Sequence, residues 1–243
     1  MMPTSRGCLS FTLFGIPIEI QPFSWLILGV LGLSIFSNAP SPMQGALMFI
    51  VAGMLTLLAH ELGHAVVGRC FTKITPIVVI GGLGGATHHP VGMPGRMPHF
   101  LMVLAGPAAS YLLGVLIAVL VGIHVGSIEF GLKLYVLHPL MAPALLNACA
   151  QAGLISAAAA MLYGVFFMIC FCWTVFNLLP ILPMDGGQLL VTATNRPRLT
   201  AVIGMVLSTL LALWFLRGGS IFMTLMTGYF AWINWQILRN IGR

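Results

Sequence analysis

Charged residues are scarce in this chain, and acidic residues are scarcest of all. Only 6% of the 243 residues are charged, with four Asp and Glu against ten Lys and Arg. Soluble domains carry about 25% charged residues, so this composition excludes a soluble enzyme. Cysteine is also rare, and the five cysteines form neither a CxxC pair nor a spacing typical of a disulfide framework. A disulfide-stapled secreted domain is therefore excluded as well.

Apolar residues are abundant instead: they make up 59% of the chain and give it a mean hydropathy of +1.06. A helix needs about 20 apolar residues to cross a bilayer. The candidate spans are residues 23–36, 46–67, 100–123, 154–179, 199–216 and 221–238, of which the first is the shortest. We therefore predict an all-α polytopic membrane protein with about six transmembrane helices, forming one membrane-embedded domain over residues 1–243.

The basic residues stand singly between the apolar runs, which is typical of membrane-protein loops and not of a nucleic-acid-binding face. With six spans, Lys133 and Arg217 fall on one side of the bilayer and the other eight, including Arg6 and Arg243, on the opposite side. Lys and Arg accumulate in cytoplasmic loops. We therefore expect both termini in the cytoplasm, in a prokaryotic cell membrane, and no nucleic-acid partner.

Segment 134–152 is the weak point of this count. It is apolar, but Pro139, Pro143 and several polar residues interrupt it. Prolines and polar groups at that density favour an interfacial or re-entrant segment over a lipid-facing span. If the segment did span, every later loop would change sides.

Two segments near the second span have the pattern of short strands. Residues 9–20 alternate around Gly15, and residues 75–87 combine β-branched residues with paired glycines. We predict a small β-sheet at the membrane surface. Its glycine-rich stretch 81–85 is either a simple turn or a strand edge that receives an extended peptide by strand addition.

The few acidic residues carry the chemistry. Glu61 lies inside the second span within His60-Glu61-Leu62-Gly63-His64, an H-E-x-x-H pattern. His60 and His64 are one helical turn apart, so both imidazoles project from one face and can bind a single zinc ion. Glu61 lies one residue round the helix, where it can act as general base on a zinc-bound water. A pair of core histidines with a salt-bridged Glu is the alternative, but it would be costly within lipid.

Two histidines leave a zinc ion short of a third protein ligand. Asp185 is the only Asp in the chain, and it follows Pro180 and Pro183 at the end of the fourth span. Prolines break a helix, and a broken helix at membrane depth is tolerated where it lines a cavity or site. The alternative is an Asp that caps a turn in a surface loop.

Together, H-E-L-G-H on one span and N-L-L-P-I-L-P-M-D-G-G at the end of a later one resemble the motifs of the site-2 proteases, the intramembrane zinc metalloproteases of peptidase family M50. The six-span layout is similar to the sporulation factor IV B type, which releases a sigma factor from a membrane-tethered precursor. Ala105-Gly106-Pro107 and the stretch 81–85 also resemble family features. Met184 stands where the family usually has Leu.

The resemblance implies that His60, His64 and Asp185 bind one zinc ion and that Glu61 is the catalytic base. It implies that Asn177 holds the scissile peptide or its oxyanion. It further implies cleavage of a membrane protein, single-span in the simplest case, within or near its bilayer segment. We expect neither a PDZ nor a CBS domain in this chain.

Other roles stay open at this stage. A metal-ion transporter would also place His and Asp in spans, and an inactive scaffold could bind single-span partners. His88 and His89 are either exposed loop residues or additional groups near the site. In the third span, small residues recur every four positions from Gly106 to Gly122, which predicts a helix-packing face.

Overall fold

The computed structural model describes residues 7–39, 41–82 and 84–241. Arg6, Arg243 and one residue of the stretch 81–85 lie outside these ranges. The strands are β1 (Leu9–Leu13), β2 (Ile16–Ile20), β3 (Ile77–Gly81) and β4 (Gly84–His88). The helices are α1 (Pro22–Ile35), α2 (Pro42–Thr72), α3 (Arg96–Val125), α4 (Ile128–Leu137), α5 (Ala142–Gln151), α6 (Ala157–Asn177), α7 (Asp185–Thr194), α8 (Pro197–Arg217) and α9 (Ile221–Ile241).

Four of these helices, α2, α3, α6 and α8, have the length and apolar content needed to cross a bilayer. The prediction of a mostly helical membrane protein is thus confirmed, but the count of six spans is not. Helix α1 has 14 residues, about 21 Å, which is less than a 30 Å hydrocarbon core. Helix α9 is long enough, but Thr224, Thr227 and Asn234 interrupt its apolar run, and it is not among the four.

Segment 134–152 does not form one continuous helix. It is divided between α4 and α5, each ten residues long, or about 15 Å. Neither helix can cross a bilayer, in agreement with the prediction of a non-spanning segment. Helix α4 packs closely on α3, where a Cβ on Gly131 would lie 2.7 Å from the backbone nitrogen of Gly122.

The four strands form one sheet in the order β1-β2-β3-β4, which confirms the predicted small sheet. β1 and β2 form an antiparallel hairpin, β2 pairs in parallel with β3, and β3 pairs antiparallel with β4. The hairpin turn places Phe14 and Gly15 at positive φ. Ile18, Val78 and Ile80 are fully buried, and they pack with residues of α1 and α2. The sheet is thereby fixed against α2.

The small residues of α3 bring its neighbours close, as predicted. A Cβ on Gly114 would lie 2.7 Å from Cε1 of Tyr135, a fully buried residue of α4. Ser110 is fully buried as well, and its hydroxyl lies 3.0 Å from that of Thr174 on α6. Helix α3 therefore stands at the centre of the helix bundle, in contact with α2, α4, α6 and α7.

Candidate active site

Three predicted metal ligands converge although they come from distant parts of the chain. Nε2 of His60 lies 3.2 Å from Nε2 of His64, one turn further along α2. Oδ2 of Asp185, the first residue of α7, lies 3.0 Å from the first of these nitrogens and 3.4 Å from the second. All three residues are buried. Within the described residues, no other group of His, Cys, Asp and Glu is arranged to hold a metal ion.

The three donor atoms fit a zinc ion. Ligands at zinc–ligand distances of about 2.0–2.2 Å in a tetrahedral site are separated by about 3.3–3.6 Å, close to the separations observed here. Oδ2 of Asp185 is buried and has no hydrogen bond of ordinary geometry from the described residues. A buried carboxylate oxygen without a partner is costly. A cation between the three atoms would satisfy this oxygen and both nitrogens.

Hydrogen bonds at the far side of each imidazole orient the two histidines. Nδ1 of His64 lies 2.9 Å from the carbonyl oxygen of Met102 on α3. A carbonyl only accepts, so Nδ1 carries the proton and Nε2 presents its lone pair to the site. Nδ1 of His60 lies 3.5 Å from the Ser110 hydroxyl, a longer and weaker contact. Helix α3 thus acts as the support for both ligands.

Glu61 is held beside this cluster by the sheet. The hydroxyl of Thr87 on β4 donates to Glu61 Oε2 at 2.8 Å and also lies 3.1 Å from the Glu61 carbonyl. Gly85, two residues earlier on the same strand, faces the Glu61 carboxylate so closely that a Cβ there would lie 2.6 Å from both Cδ and Oε1. Strand β4 therefore fixes the carboxylate, and only glycine fits at position 85 without displacing it.

Asp185 reaches the histidines because the chain turns sharply between α6 and α7. A Cβ on Gly187 would lie 2.6 Å from the carbonyl carbon of Ile181, so the first turn of α7 packs directly on the preceding loop. Burial alone would raise the pKa of Asp185, but the imidazoles of His60 and His64, when they are protonated, outweigh burial and hold this pKa below its ordinary value. The carboxylate form, which a metal requires, is thereby favoured.

A cavity of about 420 Å³ opens at the cluster. Its lining includes His60, His64, Glu61 and Asp185, together with Asn177 at the end of α6. Nδ2 of Asn177 donates to the carbonyl of Trp173 at 2.9 Å, which uses one of its two N–H groups. Among the described residues that line a larger cavity of about 640 Å³, between the adjoining ends of α1, α2, α5 and α6, none has a titratable side chain.

The remaining histidines do not join the cluster. His88 is exposed on β4. His89 packs on Gly68 of α2, where a Cβ would lie 2.8 Å from its Nδ1, and both ring nitrogens are buried without a hydrogen-bond partner among the described residues. Burial, with the nearby His64 and His88, lowers the pKa of His89. Neither residue is grouped with the metal ligands.

Several residues of the site escaped the sequence motifs. Thr87, Met102 and Ser110 contact the motif residues from 26 to 50 positions away; no local pattern reveals Thr87 or Met102, and the repeat of small residues marked Ser110 for packing only. Gly106 was predicted to serve helix packing, but a Cβ there would lie 2.9 Å from Cδ2 of His64. The sequence did offer signals for Gly106: it is the first of the small residues that recur every four positions along α3, and it lies in the Ala105-Gly106-Pro107 segment that resembles a family feature.

Three side chains that could hold a metal ion, with a further carboxylate beside them, are the arrangement found in metallopeptidases, and here they lie in and against apolar helices. The fold and the site therefore define the class as a membrane protein with a candidate metallopeptidase site. The family model described as "Peptidase family M50" matches residues 48–217, more than half of the chain. The chain therefore belongs to this family. The resemblance drawn from the motifs is confirmed.

Individual relatives agree with this assignment. The zinc metalloprotease MJ0392 of Methanocaldococcus jannaschii is 27% identical over 229 residues, which are 89% of this chain and 56% of that protein. The protein sll0528 of Synechocystis is 30% identical over 190 residues, 74% of this chain and 42% of that protein. The chain thus spans about half the length of these relatives. A solved structure of a site-2 protease from Methanocaldococcus jannaschii shares the fold, with a TM-score of 0.56 at 22% identity and 95% coverage of both chains.

Proposed function

We propose that this protein is an intramembrane zinc metalloprotease that cleaves a peptide bond within or near the transmembrane segment of a membrane protein. The observation that carries the proposal is the convergence of His60, His64 and Asp185 beside Glu61. His64 lies eight residues before the end of α2, about 12 Å along a membrane-length helix. A cut at that depth would fall inside the bilayer. The relative named as a zinc metalloprotease supports the choice of metal.

His60, His64 and Asp185 would hold one zinc ion per chain. Zinc in such a site supplies a lowered pKa for water and polarisation of the substrate carbonyl. Glu61 accepts the proton of the attacking water and delivers it to the leaving amine. Because Thr87 donates to Oε2, the other carboxylate oxygen, Oε1, is left to move this proton, and the sheet keeps it facing the cavity.

Asn177 is the candidate for stabilising the oxyanion. It lines the same cavity, and its second N–H is not needed by the Trp173 carbonyl. A neutral amide donor in a site of low dielectric lowers the energy of the developing charge. Removal of one such donor typically lowers kcat by about 10²–10³-fold. Asn177→Ala should therefore lower kcat and leave the zinc content unchanged.

The substrate would enter as an extended strand. A helical substrate hides its peptide bonds, whereas β4 is the last strand of the sheet and its residues Gly84 to Thr87 line the cavity. An extended segment can add to such an edge through backbone hydrogen bonds. N-methylation of substrate amides next to the cleaved bond would remove these hydrogen bonds. Slower cleavage of the methylated substrate is expected, and equal rates would contradict strand addition.

We further propose a prokaryotic cell membrane as its location, with both termini in the cytoplasm. The charge distribution of the loops supports this orientation. The parallel pairing of β2 with β3 brings the residues before α1 next to those after α2, so α1 and α2 together would have to enter the bilayer and return to the same side. Substrate cleavage would thus face the cytoplasm, and the partners are expected to be single-span proteins within the same bilayer.

The test uses purified protein in lipid nanodiscs with a tagged reporter that has one apolar span containing helix-breaking residues. Wild type should contain one zinc per chain and cleave the reporter. Glu61→Gln should keep the zinc and lose cleavage, whereas Asp185→Ala should lose zinc and cleavage together. Cleavage by Glu61→Gln near the wild-type rate would overturn the assignment, as would equal zinc in wild type and Asp185→Ala.

The two alternatives have less support. A transporter needs polar groups along a path through the whole bilayer. Among the described residues that line the larger cavity, at the ends of α1, α2, α5 and α6, the only polar side chains are Ser41, Gln44 and Asn147. An inactive scaffold would not need a carboxylate held in place beside three converging ligands. The zinc and cleavage measurements separate these possibilities, since a scaffold would give no cleavage and no dependence on Glu61.

A further inference from the structure

Asn234 is a buried polar residue in the middle of α9, far from the sequence motifs. It is fully buried, and its amide nitrogen donates to two carbonyls. One is Phe230, four residues earlier in the same helix, at 2.8 Å. The other is Leu182, in the loop that leads to Asp185, at 2.7 Å. Both acceptors are carbonyls, so the orientation of the amide is unambiguous.

The neighbouring helix makes room for this amide. A Cβ on Gly204 of α8 would overlap Oδ1 of Asn234 and lie 2.9 Å from its Cγ. The same Cβ would lie 3.2 Å from Cα of Ile181. Oδ1 itself is buried without a hydrogen-bond partner among the described residues. A buried polar atom without a partner is costly. The two hydrogen bonds donated by Asn234 must therefore offset the cost of burying its Oδ1.

The hydrogen bonds of the loop show why the contact with Leu182 matters. The carbonyl of Ile181 accepts from the backbone N–H of Met184 at 2.8 Å. The carbonyl of Pro183 accepts from the Gln188 side chain of α7 at 3.0 Å. These bonds lie within the loop or join it to α7, the next helix. The Asn234 bond alone, among those between described residues, ties a loop carbonyl to another part of the bundle.

We infer that Asn234 is a positioning residue for Asp185, and this inference rests on the proposed function. Leu182 precedes the aspartate by three residues, so a fixed Leu182 carbonyl limits where the carboxylate can lie. Through this hydrogen bond, helices α8 and α9 would hold the loop before Asp185 in place. Partners that orient metal ligands indirectly change metal affinity by about 10–100-fold when removed.

The experiment compares Asn234→Leu with Thr227→Val by competition with a chelator for zinc. Thr227 is a matched control: it is fully buried, two turns earlier on the same face of α9, and its hydroxyl bonds only carbonyls of its own helix. Asn234→Leu should weaken zinc binding by about tenfold or more and lower kcat at saturating substrate with little change in KM. Thr227→Val should bind zinc as wild type does.

Equal zinc affinity in Asn234→Leu and wild type, with both proteins folded, would overturn the inference. If Asn234→Leu does not fold, Gly204→Ala serves instead, because its methyl group displaces the amide without removing it. The same loss of zinc affinity is expected, and unchanged affinity would again refute the positioning role. No zinc in the wild type is a different result: the proposed function itself would fail, and the inference with it.

Discussion

The contact between Gly85 and Glu61 allows a quantitative test of the proposed catalytic role of Glu61 without changing its carboxylate. In Gly85→Ala the new methyl carbon would lie 2.6 Å from Cδ and Oε1 of Glu61. Non-bonded carbon atoms prefer about 3.5–4.0 Å. The carboxylate must therefore move by about 1 Å, away from the position in which Thr87 holds it.

A displacement of this size has a predictable cost. Misplacing a reacting group by about 1 Å can lower the rate by about 10²-fold, which corresponds to about 2.7 kcal/mol of transition-state stabilisation. We expect a loss of this order in kcat/KM for Gly85→Ala. Zinc content should not change, since Glu61 is not one of the three converging ligands.

Gly84 provides the matched control for this experiment. It is the neighbouring residue of β4, and a Cβ built there meets nothing within 4 Å. Gly84→Ala leaves the Glu61 carboxylate in place, so it should cleave the reporter far faster than Gly85→Ala, whatever the added methyl group does to binding of an extended substrate along β4. The assay measures initial rates and bound zinc for both variants and for Glu61→Gln, whose rate defines the background cleavage. Activity of Gly85→Ala within threefold of Gly84→Ala would refute the steric argument, and loss of zinc from Gly85→Ala would show that the strain reaches the metal ligands.

Three further predictions concern the supporting residues. Gly106→Ala should displace the His64 ring, because the new carbon would overlap its Nε2 and Cε1, and lower zinc affinity in the chelator assay; wild-type affinity would be the contrary result. Gly114→Ala should force Tyr135 out of place and cost about 1–3 kcal/mol by overpacking, seen as a lower melting temperature. In the folded protein the pKa of His89 is below its ordinary value of 6.5. As the pH falls below 6.5, the unfolded state therefore binds more protons than the folded state, and the free energy of unfolding decreases. His89→Gln should lose less stability than wild type between pH 6.5 and 5, and parallel melting curves would contradict this.

Local motifs predicted the metal ligands of the site because their chemistry depends on short spacings. His60 and His64 share a helix face by periodicity alone. Asp185 was identifiable because aspartate is so rare in the chain and because prolines interrupt the helix before it. The structure places all three donor atoms within 4.8 Å of one another, and their roles as zinc ligands await the measurements described above.

What the motifs missed depends on contacts between distant elements. Thr87 and Met102 hold motif side chains across 26 and 38 positions, and nothing in their immediate surroundings marks them. Asn234 is separated from Leu182 by 52 positions. The number of spans is not fixed by the sequence for a related reason: an apolar run shows that a segment avoids water, but it does not show whether lipid or protein covers it.

The parallel pairing of β2 with β3 has a consequence for the order in which the protein assembles during its synthesis. The two strands are joined through α1 and α2, so residues 16–20 find their partner only after residues 77–81 have left the ribosome. At about 5–20 residues per second, the N-terminal hairpin waits several seconds beside the bilayer while both helices are inserted. Only then can β4 add to the sheet and bring Thr87 to Glu61. If the protein is the proposed protease, this order leaves the Glu61 carboxylate unorganised during insertion, when unfolded spans, its own included, are close by.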